Sequence, residues 1–415
     1  MRTIFKLKTG IIILLLVLTF IKEKCYGQEF FKIEGKITNS KNQAIPYVNI
    51  SIKKTSIGTM SNDDGEFILS ISEEYINDTV LVSHIGYLTQ NFIVDKKNLN
   101  NHKIELSEAS YSLKEVSVRP IDPFSILQKA ISQITQNYYN TEYESEAFYR
   151  EVIMENDSYI EYAEGILTIF QKPYSKDIKK QEKDLIRVIE SRRNKNNLKE
   201  YELSKKVRNP IGGPVTCLKY NPIKFHPSFM RTNSNEKYNY KLVDILEYSG
   251  RNLYVIEFDQ NDKIKKSLYK GKIYIDKETL AFIHLNYYKS PKGIKYSLPG
   301  GLAKAVLKMF KISMEGFDRR VIVNYKLFNG KWCLSSINYK EKASFIKKEI
   351  PFDIISTKDL LVSQINHKIE NSYTKNEVLK SGEFKDQVGE YNENFWGNYN
   401  VIPINKELKK QILKK

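Results

Sequence analysis

The residues able to do chemistry are few and far apart. His84, His102, His226, His284 and His367 are isolated from one another along the chain. None opens a His-Glu-x-x-His pair, so the sequence offers no zinc-peptidase ligand set. Each reads as a histidine satisfied within the fold. Glu161 and Glu164, or Asp353 with its neighbours, could pair as acid and base, but acids are common enough that such pairs mean little. No Ser lies in Gly-x-Ser-x-Gly, and neither the GxGxxG nor the P-loop pattern occurs. Asn62-Asp63-Asp64-Gly65-Glu66 gathers oxygen atoms, yet a calcium loop needs them at alternate positions over about twelve residues. A turn is expected instead, with Asp63 or Asp64 accepting local N–H groups and Gly65 at positive φ. No catalytic, cofactor-binding or metal-binding residue is assigned on this basis, and no cofactor is expected.

The N-terminus speaks of place. Arg2, Lys6 and Lys8 precede a nearly uninterrupted apolar run from Gly10 to Ile21. That run is too short to span a bilayer, which takes about 20 residues. Cleavage after Gly27 is expected, which makes residues 1–27 a signal peptide; an uncleaved anchor is the other reading. Lys22-Glu23-Lys24 before Cys25 is wrong for a lipidation site. Loss of residues 1–27 removes five basic residues and one acid, taking the net charge from +17 to +13. Such a charge would suit nucleic acid, but export argues against that partner and leaves acidic lipid headgroups or polysaccharide. Without Cys25, the pair Cys217 and Cys333 remains. An oxidising compartment permits a disulfide between them; two separate buried thiols is the alternative. With 41% apolar and 28% charged residues among 415, the chain is globular, with two or three domains and neither disorder nor a disulfide scaffold.

Period-two alternation runs from Phe31 to Leu106, broken by turns about ten residues apart, as in an antiparallel sandwich. Its pieces are Ile33-Glu34-Gly35-Lys36-Ile37, Ala44-Ile45-Pro46-Tyr47-Val48-Asn49-Ile50, Gly58-Thr59-Met60-Ser61-Asn62-Asp63-Asp64-Gly65-Glu66-Phe67 and Val82-Ser83-His84-Ile85-Gly86-Tyr87. In this order they resemble the carboxypeptidase-regulatory-like domain. The resemblance implies a transthyretin-like Greek-key β-sandwich, abundant in exported proteins of Bacteroidetes and holding none of the carboxypeptidase's catalytic residues. Leu113-Lys114-Glu115-Val116-Ser117-Val118 resembles the sequence that usually follows it. Asp78-Thr79-Val80 resembles that phylum's O-glycosylation site, on Thr79.

A helix opens at Asp122-Pro123, with Phe124, Leu127, Ala130, Ile131 and Ile134 on one face. The segment through Ala147-Phe148-Tyr149-Arg150-Glu151 resembles a second exported Bacteroidetes pattern, a sandwich followed by a helix and a strand. Beyond it, paired runs suggest consecutive hairpins, clearest around Asn329-Gly330. One large, curved antiparallel sheet is expected, open like the half-barrel of periplasmic lipoprotein carriers. Lys172 to Glu200 sustains neither period and reads as a loop or exposed helix. The Pro-rich stretch from Asn209 to Pro227 and a short amphipathic helix from Leu302 to Phe310 could cover the concave face. The aromatic tail around Phe395-Trp396-Gly397-Asn398-Tyr399 resembles the close of the same exported family, with Trp396 docked on the sheet.

The fold class is therefore mainly β. The expected divisions are signal peptide 1–27, sandwich 28–110, linker and helix 111–140, antiparallel β domain 141–370 and aromatic tail 371–415. The expected function is non-catalytic binding or assembly in the periplasm or at the outer membrane, peripheral association included. Partners would be an envelope protein, a lipid or a glycan, with no nucleic acid. His226, Phe225, Phe229 and Trp396 are the candidate surface. A hydrolase of envelope peptide or glycan, with a site in the second domain, is the competing expectation.

Overall fold

Seven short strands come first: β1 (Phe30–Asn39), β2 (Asn49–Ile52), β3 (Gly58–Met60), β4 (Glu66–Ser72), β5 (Thr79–Ser83), β6 (Gln90–Ile93) and β7 (His102–Leu106). They are seen in a computed structural model that describes residues 29–109, 122–175, 177–195, 212–366, 377–380, 384 and 397–413. Two sheets, ordered β4-β1-β7 and β3-β2-β5-β6, face each other. Ile33, Ile37, Ile50, Phe67, Leu69 and Val82 fill the space between them at no more than 1% exposure. The strands are antiparallel except β1 and β7, which run parallel. Gly35 permits that approach: a Cβ there would lie 2.5 Å from the His102 carbonyl oxygen. At the turn after β3, Asn62 Oδ1 accepts the N–H groups of Asp64 and Glu66, both at 2.9 Å, and Gly65 sits at φ 75°. The acceptor is thus Asn62 rather than Asp63 or Asp64. Asp64 instead accepts the Lys406 N–H at 2.7 Å.

The linker helix α1 (Pro123–Ser132) begins as expected. Asp122 accepts the N–H groups of Phe124 and Ser125 at 3.1 Å, supplying the partners a helix start lacks. Ile126, Leu127 and Ala130 are buried, and α2 (Ile134–Asn137) continues the path. Ten strands then build one antiparallel sheet: β8 (Tyr143–Glu155), β9 (Ser158–Gln171), β10 (Leu185–Lys195), β11 (Tyr238–Tyr248), β12 (Arg251–Gln260), β13 (Tyr269–Asp276), β14 (Phe282–Lys289), β15 (Ile312–Phe328), β16 (Lys331–Lys347) and β17 (Ile350–Asn366). Their order is β10-β9-β8-β17-β16-β15-β14-β13-β12-β11, not closed into a barrel. The chain lays down three strands, crosses to the far edge, and meanders back until β17 pairs with β8. Asn329 (φ 48°) and Gly330 (φ 73°) make the tight turn between β15 and β16.

Over Leu185–Lys195, β10 corrects the reading of residues 172–200 as loop or helix. Its alternation is broken by a bulge between Val188 and Glu190, and an edge strand carries charges that hide the period. The short helix α3 (Gly213–Cys217) and the turns to Met230 lie on one face of the sheet, over Tyr238, Phe258, Ile273, Leu285 and Tyr287. The opposite face receives the sandwich and the C-terminal segment: Met60 packs with Phe148, Ile166, Leu361, Val401 and Ile402. The amphipathic helix is observed as α4 (Gly301–Met309), and a last helix, α5 (Lys406–Leu413), rests on Tyr159 and Tyr162 of β9.

Candidate functional site

Side chains alternate across a strand, so a sheet covered on both sides carries two different cores. One face here is aliphatic and aromatic. The other carries a line of polar side chains that crosses eight strands in register. Arg192 stands opposite Glu164, Glu164 opposite Arg150, Arg150 opposite Asp359, and Asp359 opposite Asn338. Two residues along β16, Ser336 stands opposite Asn324, then Asn324 opposite His284 and His284 opposite Tyr274. Hydrogen bonds follow the register. Arg150 Nε donates to Glu164 Oε2 at 2.8 Å, and Arg192 Nε donates to Oε1 at 2.6 Å. Asn338 Nδ2 donates to Asp359 Oδ1 at 2.8 Å.

Where this polar face leaves the sandwich, the two domains enclose a cleft of about 800 Å³. The sandwich contributes Tyr47, His84 and Tyr87, and the sheet contributes Arg251, His284, Arg320 and Trp332, among others. Among the described lining residues three are cations, Arg251, Arg320 and Lys326, and none is Asp or Glu. Arg320 is exposed at the cleft and donates Nε to Asn286 Oδ1 at 3.2 Å. Arg251 pairs with Asp276 at 3.2 Å and lies over the Trp332 ring. Lys326 Nζ donates to the Ser56 carbonyl of the sandwich at 2.7 Å and to the Val362 carbonyl of the sheet at 2.8 Å. Burial brings its ammonium down to about 8.

Both cleft histidines are held neutral. Asn324 Nδ2 donates to Ser336 Oγ at 2.9 Å, which turns Asn324 Oδ1 toward His284 Nδ1 at 2.6 Å. An amide oxygen only accepts, so Nδ1 carries the proton and Nε2 is left as an acceptor. His84 Nδ1 donates to the Ile85 carbonyl at 2.8 Å, with the same consequence. Burial, against the Asn324 hydrogen bond and with some help from His84, lowers His284 to about 4. His84 is lowered by burial as well. Tyr47 holds a left-handed backbone at φ 60°, a conformation a tyrosine adopts only at a cost. Its phenol is pushed well up by burial and by Asp359 and Asp63.

The residues singled out from the sequence are dispersed. Phe229 is fully buried and stacked on Phe258, with ring centroids 4.2 Å apart. It is core rather than surface, because the segment bearing it turns its aromatic ring into the apolar face. Phe225 and His226 are half-buried beside it, and burial lowers His226. Trp396 and His367 lie outside the described residues. Thr79 is the half-buried first residue of β5. Cys217 and Cys333 are free and buried, so of the two readings the structure has the separate buried thiols. Cys333 Sγ is turned to the Lys326 carbonyl at 3.3 Å, and burial pushes both thiols up to about 12. Glu161 and Glu164 stand three apart on one strand, hence on opposite faces. Glu164 is engaged by two arginines, and Asp353 pairs with Lys342 at 2.6 Å elsewhere. Sequence reasoning missed Arg320, Asn324, His284 and Trp332 as a group. Arg320 and Asn324, which flank the apolar run Val321-Ile322-Val323, were the available signal.

Comparison with known proteins places the first domain. Residues 33–118 match the family model of the CarboxypepD_reg-like domain. No curated protein matches the chain. Among solved structures, a DUF1329 family protein from Desulfovibrio piger aligns at 13% identity and a TM-score of 0.26, over 61% of this chain and 96% of that one. A structure of lipid–protein interactions in lipovitellin aligns at 8% identity and a TM-score of 0.27, over 59% of this chain and 27% of that one. At such scores neither alignment bears on function.

Proposed function

We propose that this chain is a non-catalytic binding protein of a bacterial envelope, exported by residues 1–27, which holds an acidic glycan in the cleft between its two domains. The cleft chemistry carries this reading: three cations and no carboxylate among the described lining residues, beside two histidines fixed as neutral acceptors. Arg251 and Arg320 suit carboxylate or sulfate groups, which a guanidinium binds with two parallel donors. Nε2 of His84 and His284 can accept from sugar hydroxyls, and Trp332 with Tyr47, Tyr87 and Tyr274 offers flat apolar surface. Pockets of roughly 300–1,000 Å³ accommodate small ligands of this kind. The carboxylates weighed for hydrolysis, Glu161, Glu164 and Asp353, do not converge on this cleft, which favours holding over cleavage.

The chain has two tryptophans, so a Trp396→Phe variant reports from Trp332 alone. Titration with uronate-containing oligosaccharides should change its fluorescence saturably, while neutral oligosaccharides should not. Arg320→Ala should weaken binding by roughly tenfold or more, the worth of one charged hydrogen bond. Absence of saturable binding, or an unchanged affinity in Arg320→Ala, overturns the reading.

A further inference from the structure

Among the described residues, the three most exposed large apolar side chains, Leu302, Met309 and Ile350, lie at one end of the large sheet, whereas Ile93 and Leu88 are exposed on the sandwich. Leu302 and Met309 of α4 are 82% and 80% exposed, and Val306 and Phe310 are 43% and 44% exposed. Leu302, Val306 and Met309 recur at i, i+4 and i+7, so they form one stripe. Leu307 is turned the other way, against Ile312, Phe345 and Phe352 of the sheet. Leu307 therefore anchors the helix to the sheet, with a separate apolar face turned to solvent. Ile312, which starts the next strand, stands opposite Lys347, and Lys347 opposite Ile350. The tip of the β16–β17 hairpin thus adjoins the end of the helix, and Ile350 there is 69% exposed.

The helix and the segment leading into it carry charge of one sign, while the hairpin tip carries Lys347, Lys348 and the exposed Glu349. From Lys289 to Lys311 the sequence carries six lysines and no Asp or Glu. Lys292 is paired with Asp262 at 2.9 Å, whereas Lys304, Lys308 and Lys311 are exposed beside the apolar stripe. Gly300 is the N-cap and Gly301 the first residue of the helix, and a Cβ at either would meet nothing within 4 Å. Apolar residues on one face with lysines on the flank are the signature of a helix that lies in the plane of an anionic bilayer surface. Among the described residues no helix is long and apolar enough to cross a membrane.

We infer that α4 and the adjoining hairpin tip dock on an anionic lipid surface, with Leu302, Val306, Met309 and Phe310 in the headgroup–acyl boundary and the lysines at the phosphates. This contact is independent of the cleft. The test is co-sedimentation of residues 28–415 with vesicles of phosphatidylcholine alone and of phosphatidylcholine with phosphatidylglycerol. The protein should pellet with the anionic vesicles and stay in solution with the neutral ones. Leu302→Ser with Met309→Ser should lower the partition roughly tenfold by removing buried apolar area. Lys304→Gln with Lys308→Gln should lower it roughly tenfold by removing surface charge. All four positions are exposed, so both variants should keep the wild-type circular dichroism and melting temperature. Failure of the wild type to pellet with anionic vesicles overturns the inference, as does equal binding by either variant. So does a dimer in gel filtration that Leu302→Ser with Met309→Ser dissociates while no vesicle binding is seen, since the face would then cover a second copy.

Discussion

His284 concentrates the physics of the cleft in one ring. Its Nδ1–H is committed to Asn324, and burial holds it neutral down to about 4. In the unfolded chain the ring protonates near 6.5, so between these values the unfolded state binds more protons than the folded one. Stability should therefore fall as pH drops from 6.5 toward 4, by about 3 kcal/mol at the low end. Asp359 titrates with the opposite sign, because burial raises its carboxyl to about 6. Chemical denaturation of wild type and His284→Gln across this range isolates the histidine. The wild type should lose stability more steeply than the variant as the pH falls, and parallel curves would remove His284 from the account. None of this was legible locally, because an isolated strand histidine looks the same whether it faces solvent or an asparagine on the neighbouring strand.

At the scale of elements, the segment Gly212–Met230 shows how a loop becomes core. Its sequence is Pro-rich and apolar, which announces a cover without saying what it covers. Phe229 enters the aromatic cluster, and Tyr325 donates to Asn221 Oδ1 at 2.6 Å. Lys224 is fixed more firmly: its Nζ pairs with Asp184 with both side chains almost wholly buried, and it also donates to Gln171 Oε1 at 3.2 Å. Removing one partner of a buried ion pair strands the other charge. Lys224→Met should therefore destabilise the protein by about 3–5 kcal/mol, measured by urea denaturation. Lys224→Met with Asp184→Leu should recover most of that loss, and a single variant with wild-type stability would refute the account. The α1 start and the Asn329-Gly330 turn were readable because caps and tight turns are set by residues within four positions of one another. β10 was not readable, since an edge strand with a bulge has no sustained period of its own.

At the scale of the whole molecule, the sandwich is joined to the sheet and to the C-terminal segment through side-chain to backbone hydrogen bonds. Ser56 Oγ accepts the Ile365 N–H at 2.9 Å, Thr59 Oγ1 donates to the Val401 carbonyl at 3.1 Å, and Asn400 bonds both backbone groups of Ser70. Lys326 ties one carbonyl from each domain. Such an interface should make the two domains melt together. Lys326→Met leaves both carbonyls without their charged donor, at about 1–3 kcal/mol. Calorimetry should show one transition in the wild type and two, the first at lower temperature, in the variant. A single unshifted transition would show that Lys326 contributes nothing to the coupling.

The sequence by itself determined the sandwich, the linker helix and the mainly β second domain, because alternation, caps and turn residues act over a few positions. It determined the sandwich family through four spaced pieces that keep their order. Tertiary structure alone decided the rest. The crossing to the far edge, which brings β17 beside β8, sets Asp359 opposite Arg150 although they lie some two hundred positions apart. The polar line across the sheet exists only in that register, and so does the cleft it borders. Pairing between distant strands depends on closing long loops and on which face each strand buries, and no local pattern records either choice.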